Sequence, residues 1–440
     1  MHYQPVVDQI SVRVPLDPLM GMVFVALFAA TALLTMRRAS YGLALLLFVT
    51  PFALYRDAFG TTITLPKVVL VGVIVGLLSY AGILRFLRER EFRGIAIALA
   101  ALCAVTLLTI VTALHPTPVL RETLKAVEHL VLFAVAYVAY RLDPNDTLLL
   151  RALCASVALV ALSALAQEVV GAPSALVLGD TIVPRIAGAL EGPNQLGGYL
   201  ELAIAAIGAW AMERPGKLVA LCLALAGCAA VLTFSRGAAV GIAVVLIVLG
   251  IVRRDRWWRA GGPALVGIGI GGCGATAWGL VAHSFGFARV EAATDYSGGV
   301  GNRPELWRAA WTFFRTHPWL GIGAGNYQLE LDRAGVYGVR THANSWYLQA
   351  LAEGGIALFA ATLAFIASAI ATLRAHLRDA QPWALGAFAA TIALCVHQTV
   401  DYLIFYQKIG TPWMLAIGLG AAAISGRTRS RPESAIISDS

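Results

Sequence analysis

The chain has 440 residues, 59% of them hydrophobic and only 13% charged, with a mean hydropathy of +0.75. Those proportions exclude a soluble globular protein and put the chain among polytopic membrane proteins. The net charge of +8 does not mark a nucleic-acid binder, because the basic residues fall in short clusters between apolar runs, the positive-inside pattern of membrane proteins.

A membrane-crossing helix needs about 20 apolar residues. Such runs cover about Leu19 to Met36 and Tyr41 to Tyr55, with Arg37 and Arg38 between them. Next come about Lys67 to Leu84 and Gly94 to Leu114, separated by Arg85, Arg88, Arg90 and Arg93, which mark a cytoplasmic loop. Propagating the sides from there puts Arg121 to Tyr140 inbound, Thr147 to Val170 outbound and Gly171 to Pro193 in an external loop. Asn194 to Glu213, Leu218 to Phe234, Ala238 to Val252 and Ala260 to His283 then alternate, with a tight external turn at Ser235-Arg236-Gly237 and a cytoplasmic cluster at Arg253, Arg254, Arg256 and Arg259. Ser284 to Leu351 is the long external stretch. Ala352 to Leu373 returns to Arg374, His376 and Arg378, and two more segments end in a basic tail.

The expected fold is therefore an all-α polytopic membrane protein with about 12 transmembrane helices, 12 or 13 by this count, forming one domain over residues 1–440. Residues 284–351 are expected to form a long external loop carrying amphipathic helix, and residues 426–440 a disordered cytoplasmic tail. No removable signal peptide is expected, since no short basic region precedes a small-residue cleavage site at the N-terminus. The six cysteines all fall in apolar segments without metal-ligand spacing and read as packing residues.

Positive residues are depleted from short external loops, so Arg185 and Arg236 stand out. Each has two readings. Arg236 is either a snorkelling side chain or an anion clamp, since a guanidinium matches phosphate oxygens in pairs and keeps its charge at any pH. Arg185, with Gly188 and Pro193-Asn194 behind it, is either a plain loop arginine or part of an anion site beside a helix that Asn194 caps. In the long stretch, Leu306, Trp307, Ala310, Trp311, Phe313 and Phe314 recur at helical spacing after Pro304, giving an amphipathic surface helix with Arg303 at its start. Gly321, Gly323 and Gly325 bring backbone N–H groups within reach of a ligand but lack dinucleotide-binding spacing. His342 stands at the start of the next helix with Trp346, Gln349 and Glu353 on one face; it is either a hydrogen-bonded structural residue or a base that takes a proton from a hydroxyl. Glu201, His397 and Asp401, at or inside apolar runs, read as helix-pairing groups.

Four motifs occur in order: Arg185-Ile-Ala-Gly188 through Pro193-Asn194, Ser235-Arg236-Gly237-Ala238, His317-Pro-Trp-Leu-Gly-Ile-Gly-Ala-Gly325-Asn326, and His342-Ala-Asn344-Ser-Trp-Tyr-Leu-Gln349. Together they resemble the O-antigen ligase family of bacterial inner-membrane enzymes, whose superfamily also holds O-antigen polymerases and protein O-oligosaccharyltransferases. The resemblance implies a multi-pass inner-membrane glycosyltransferase of GT-C-like architecture with its active site facing the periplasm. It would move O-antigen from an undecaprenyl-pyrophosphate-linked donor to a sugar hydroxyl of lipid A core, completing lipopolysaccharide.

By the same resemblance, His342 is the base and Arg185, Arg236 and Arg303 hold the pyrophosphate. Asn194, Asn344, Trp346, Gln349 and Arg340 are supporting or acceptor-side candidates. The displacement is expected to be direct, inverting and free of metal or other cofactor, although Glu291, Asp295, Glu330 and Asp332 are external carboxylates. Membrane lipids are expected partners and nucleic acid is not; the oligomeric state is open. A polymerase or protein O-oligosaccharyltransferase using the same donor type is the alternative. A lipid-linked-glycan flippase is the outsider, and would show repeat symmetry and polar residues at the bilayer midplane, where these cluster at one face.

Overall fold

In the computed structural model the described residues are 15–428, apart from 53, 59–60, 179–180, 286–302, 376 and 378–380. The elements are α1 (Pro18–Arg37), α2 (Ala39–Val49), β1 (Tyr55–Ala58), β2 (Thr61–Thr64), α3 (Leu65–Leu77), α4 (Arg90–Leu108), α5 (Pro116–Leu142) and α6 (Asp146–Val170). There follow β3 (Ser174–Leu178), β4 (Thr181–Arg185), α7 (Pro193–Glu213), α8 (Lys217–Leu232), α9 (Arg236–Val252) and α10 (Trp258–Phe285). Last come α11 (Arg303–Thr316), α12 (Tyr327–Glu330), α13 (Trp346–Leu373), α14 (Pro382–His397) and α15 (Gln407–Thr428).

Six of these helices, α1, α4, α5, α6, α13 and α15, are long and apolar enough to cross a membrane, and α2, α3, α8, α9 and α14 are shorter apolar helices. Apolar side chains such as Leu19, Val25, Leu162, Val169, Ile247 and Ile251 face outward, as lipid-facing residues of a multi-pass membrane protein do. The interior is built on Trp210, Trp413, Tyr137, Phe133 and Phe365.

Antiparallel neighbours sort the connections onto two ends of the bundle. At one end charged loops are tied to each other: Arg38 to Asp143 at 2.8 Å, Arg141 to Glu89 at 2.9 Å and Arg256 to Glu213 at 2.6 Å. Ser425 and Tyr137 also donate to Glu89, at 2.7 and 2.6 Å. These are loops that the alternation of runs puts on one side. The opposite end carries Arg185, the start of α9, the start of α11, His342 and the α14–α15 connection.

Two short hairpins interrupt the helical pattern on that second end. β1 pairs with β2, Tyr55 opposite Thr64, and β3 with β4, Ser174 opposite Arg185. The first shortens the run read as Tyr41 to Tyr55, since α2 ends at Val49. Within the loop read as Gly171 to Pro193, the second delivers Arg185 as the last residue of a strand. Tyr55 donates to Glu191 at 2.7 Å, and Lys408 to Ala189 O at 2.6 Å, so the hairpins, the 186–192 loop and the start of α15 form one layer.

The long stretch folds as a cover with its own small core of Leu306, Ala310, Phe313, Ile322, Tyr327, Leu331 and Ala343. Leu306 and Phe313 turn inward, as the amphipathic spacing of α11 predicts, whereas Trp311, read with the same apolar set, stays exposed, as does Trp319 in the loop that follows. Residues 286–302, including Glu291 and Asp295, lie outside the described residues.

The cover is stitched to a break in α13. Gly355 has φ 58 and ψ −155, a conformation that interrupts the helix and favours glycine. The backbone groups freed there are taken by the 317–323 loop: Ile356 N–H donates to Pro318 O at 2.8 Å, Ile322 N–H to Ala352 O at 3.0 Å and Gly323 N–H to Glu353 O at 2.9 Å. Gly321 N–H goes to His317 O at 3.0 Å and Ala324 N–H to Thr109 Oγ1 at 3.0 Å. The expectation that the glycine-rich loop offers amides to a ligand is corrected for Gly321, whose N–H closes a turn on His317 O, and for Gly323, whose N–H serves this junction.

Candidate active site

β4 ends on Arg185, which is buried; its Nε donates to Thr233 O at 2.8 Å and its Nη2 to Asn194 Oδ1 at 2.9 Å. Thr233 is the C-cap of α8, where carbonyls without helical partners favour a cation. Asn194 is not a cap, as the sequence reading had it. Pro193 occupies the first turn of α7 and Gly192 precedes it as the N-cap, which leaves the Asn194 amide free to bridge. Its Nδ2 donates to Asp401 Oδ2 at 3.0 Å.

Asp401 lies in the α14–α15 connection and gathers the site. Besides Asn194, its carboxylate stands 4.0 Å from Arg303 Nη2 and accepts from Tyr402 N–H at 2.7 Å. Arg303 opens α11, so the cover hands a second cation to the carboxylate that Arg185 reaches through Asn194. Its Nε is buried with no hydrogen-bond partner among the described residues, and the Gln398 Nε2 three residues before Asp401 is in the same condition. Buried donors without acceptors are rare in folded proteins, and two of them lie beside Asp401.

Arg236 is exposed at the first position of α9, after Ser235, whose Oγ caps the helix by accepting Ala238 N–H at 3.3 Å. The tight turn expected there is made one step earlier, by Phe234 at φ 49. Thr233, which holds Arg185, is therefore three residues from Arg236.

His342 is buried in extended chain before α13, which starts at Trp346 with Ser345 as its cap, so the helix begins later than its sequence position suggested. Three rings from the α14–α15 connection surround the imidazole: Tyr402 at 5.6 Å, Phe405 at 5.5 Å and Tyr406 at 6.0 Å between centroids. Nε2 is 3.3 Å from Tyr406 Oη, and Nδ1 is 3.3 Å from Asn344 N–H. Both contacts sit at the long edge of hydrogen-bond geometry. When Nδ1 accepts from the backbone, Nε2 carries the ring proton; when Nδ1 is protonated, Nε2 offers a lone pair to a hydroxyl where Tyr406 Oη now stands. Burial lowers the His342 pKa from 6.5, Asp401 acts against that by raising it, and Arg303 lowers it further. The imidazole is thus neutral near neutral pH, the form a base requires.

The remaining candidates take other places. Gln349 accepts Ala343 N–H at 2.7 Å and so fixes the chain next to His342. Trp346 packs on Trp413 in the core, its ring centroid 5.9 Å away, and its backbone N–H donates to the backbone carbonyls of Gln398 at 3.0 Å and Asp401 at 3.2 Å. Asn344 has φ 49, a left-handed conformation, and its N–H is the one that faces His342 Nδ1. Arg340 is exposed on the cover. Glu201 and His397 form a buried pair at 2.8 Å between α7 and α14, a helix pairing as expected, whereas Asp401 belongs to the site. All six cysteines are free.

Asp401 and the rings after it were missed because a single acid at the end of an apolar run looks the same whether it pairs helices or binds a ligand. The available signal was the density of aromatic and polar residues in Gln398 to Gln407, which resembles an interfacial belt.

A family model described as O-Antigen ligase matches residues 221–363. That segment holds Arg236, Arg303 and His342, while Arg185, Asn194 and Asp401 lie outside it. No individual curated protein matches the chain.

Proposed function

With residues 221–363 supporting placement in the O-antigen ligase family, we propose that this protein is an O-antigen ligase of the bacterial inner membrane. It moves a glycan from undecaprenyl pyrophosphate to a sugar hydroxyl of lipid A core on the periplasmic face, through 12 or 13 membrane crossings in a GT-C-like arrangement. The observation that carries this reading is the meeting of Arg185 and Arg303 around Asp401 beside a neutral His342, with the Arg303 Nε buried and unpartnered among the described residues.

The chemistry needs a base for one proton and cations for a departing pyrophosphate. In the tautomer with Nδ1 protonated, which gives up the contact from Asn344 N–H, the acceptor hydroxyl takes the place of Tyr406 Oη at the Nε2 lone pair of His342, and its oxygen attacks the anomeric carbon from the face opposite the pyrophosphate. As the new C–O bond forms, the bond to the pyrophosphate oxygen breaks, the electron pair leaves with undecaprenyl pyrophosphate, and the hydroxyl proton goes to His342. Arg185, Arg236 and Arg303 stabilise the charge that builds on the leaving group, and Asp401 holds two of them in place. The displacement is direct, inverting and independent of metal.

Reconstituted protein supplied with lipid-linked O-antigen and three acceptors in competition tests the assignment: lipid A core, lipid-linked glycan and a peptide. Transfer to lipid A core is the expected result. Transfer to glycan alone would make it a polymerase, transfer to peptide alone a protein O-oligosaccharyltransferase, and either outcome would overturn the ligase reading.

A further inference from the structure

The Glu201–His397 pair lies one layer beneath the site. Glu201 is fully buried on α7 and His397, the last residue of α14, is 1% exposed; Nδ1 and Oε2 are 2.8 Å apart. Glu201 Oε1 is buried with no partner at all among the described residues. Such a pair returns little stability, because burying the two groups costs about as much as their attraction gives, and its best-attested use is to fix register between elements.

Here the element held in register is α9. A Cβ on Gly237 would overlap His397 Nε2, and one on Gly241 would overlap Glu201 Oε2. The two glycines are one turn apart on one face, so the first turns of α9 rest directly on the pair. Gly197, one turn before Glu201 on α7, meets Ala238 in the same way. Arg236 immediately precedes Gly237, and its height above the site follows from where α9 sits on this floor.

We propose that Glu201 and His397 are positioning residues for Arg236: their pairing sets the axial position of α9 and so aims the Arg236 guanidinium at the donor pyrophosphate. This rests on the reading of Arg236 as a pyrophosphate ligand. A guanidinium misplaced by about 1 Å loses much of its effect, up to a hundredfold in favourable systems.

The test is a double-mutant cycle on the full-length protein in proteoliposomes, with undecaprenyl pyrophosphate as the titrated probe. Arg236→Ala and Glu201→Gln are expected to weaken binding, the second by about tenfold, and the double variant to bind no worse than Arg236→Ala alone. Gly237→Ala, which keeps the pair and wedges α9 off it, is expected to give a similar loss that also vanishes in the Arg236→Ala background. It carries the test if Glu201→Gln does not fold. A further tenfold loss in either double variant, or wild-type binding by Gly237→Ala and Glu201→Gln, would overturn the positioning role. Wild-type binding by Arg236→Ala would instead overturn the anion-ligand reading on which it rests.

Discussion

At the scale of single residues, the site sets one carboxylate, Asp401, and one cation, Arg303, against each other at His342. Burial depresses the His342 pKa, so the acid limb of kcat/KM is expected below 6.5. Removing Arg303, a cation that lowers it, moves the limb to higher pH; removing Asp401, an anion that raises it, moves it lower. Profiles of Arg303→Gln and Asp401→Asn shifting together, or in the reverse order, would contradict the arrangement. The same depression bears on stability: the unfolded chain binds more protons than the folded one between the two pKa values, so the contribution of His342 is lost as pH falls through that window. Arg236→Lys keeps charge but loses the paired donors, and donor turnover is expected to fall at least about tenfold; turnover like wild type would count against the clamp. Arg185 and Arg236 could be singled out in the sequence as positive residues in short external loops, and Arg303 and His342 by their place in the long external stretch and by the family resemblance. Asp401 could not, since its partners Asn194 and Arg303 are remote in sequence and its chemistry appears only when α7, α11 and the α14–α15 connection meet.

At the scale of elements, the break in α13 is what lets the cover sit on the bundle. The 317–323 loop supplies the hydrogen-bond partners that the helix gives up at Gly355, and the same junction leads through Gln349 to the backbone at Ala343 beside His342. A Cβ at position 355 would lie 2.5 Å from Pro318 O, at a φ of +58. Gly355→Ala is therefore expected to destabilise the protein by more than ~1 kcal/mol and to reduce transfer, both read from a melting curve and a transfer assay on the same sample. An unchanged melting temperature would show that the loop and helix separate without consequence. The helices were legible because apolar runs of this length have few alternatives. The hairpins and the break were not: Gly354-Gly355 sits inside an apolar run, and β1 to β4 are four or five residues each, too short for an alternating pattern to stand out.

At the scale of the molecule, the alternation of apolar runs sorts the basic clusters to one side and the candidate site arginines to the other, and the described contacts gather these loops at opposite ends. Ion pairs around Glu89, Asp143 and Glu213 close one end; Arg185, Arg236, Arg303 and His342 occupy the other. In intact cells, a cysteine at exposed position 340 is expected to react with an impermeant reagent from the periplasmic side, and one at 254 only after the cytoplasmic face is opened. The reverse pattern would invert the orientation. The role on which everything at this end turns is that of His342 as the base of a glycan transfer. Its most direct measurement is the yield of O-antigen-bearing lipid A core from purified protein in proteoliposomes, wild type against His342→Ala and His342→Gln. Product is expected from the wild type and at least about a hundredfold less from both variants, with undecaprenyl pyrophosphate still bound. Product from either variant at the wild-type rate would contradict it.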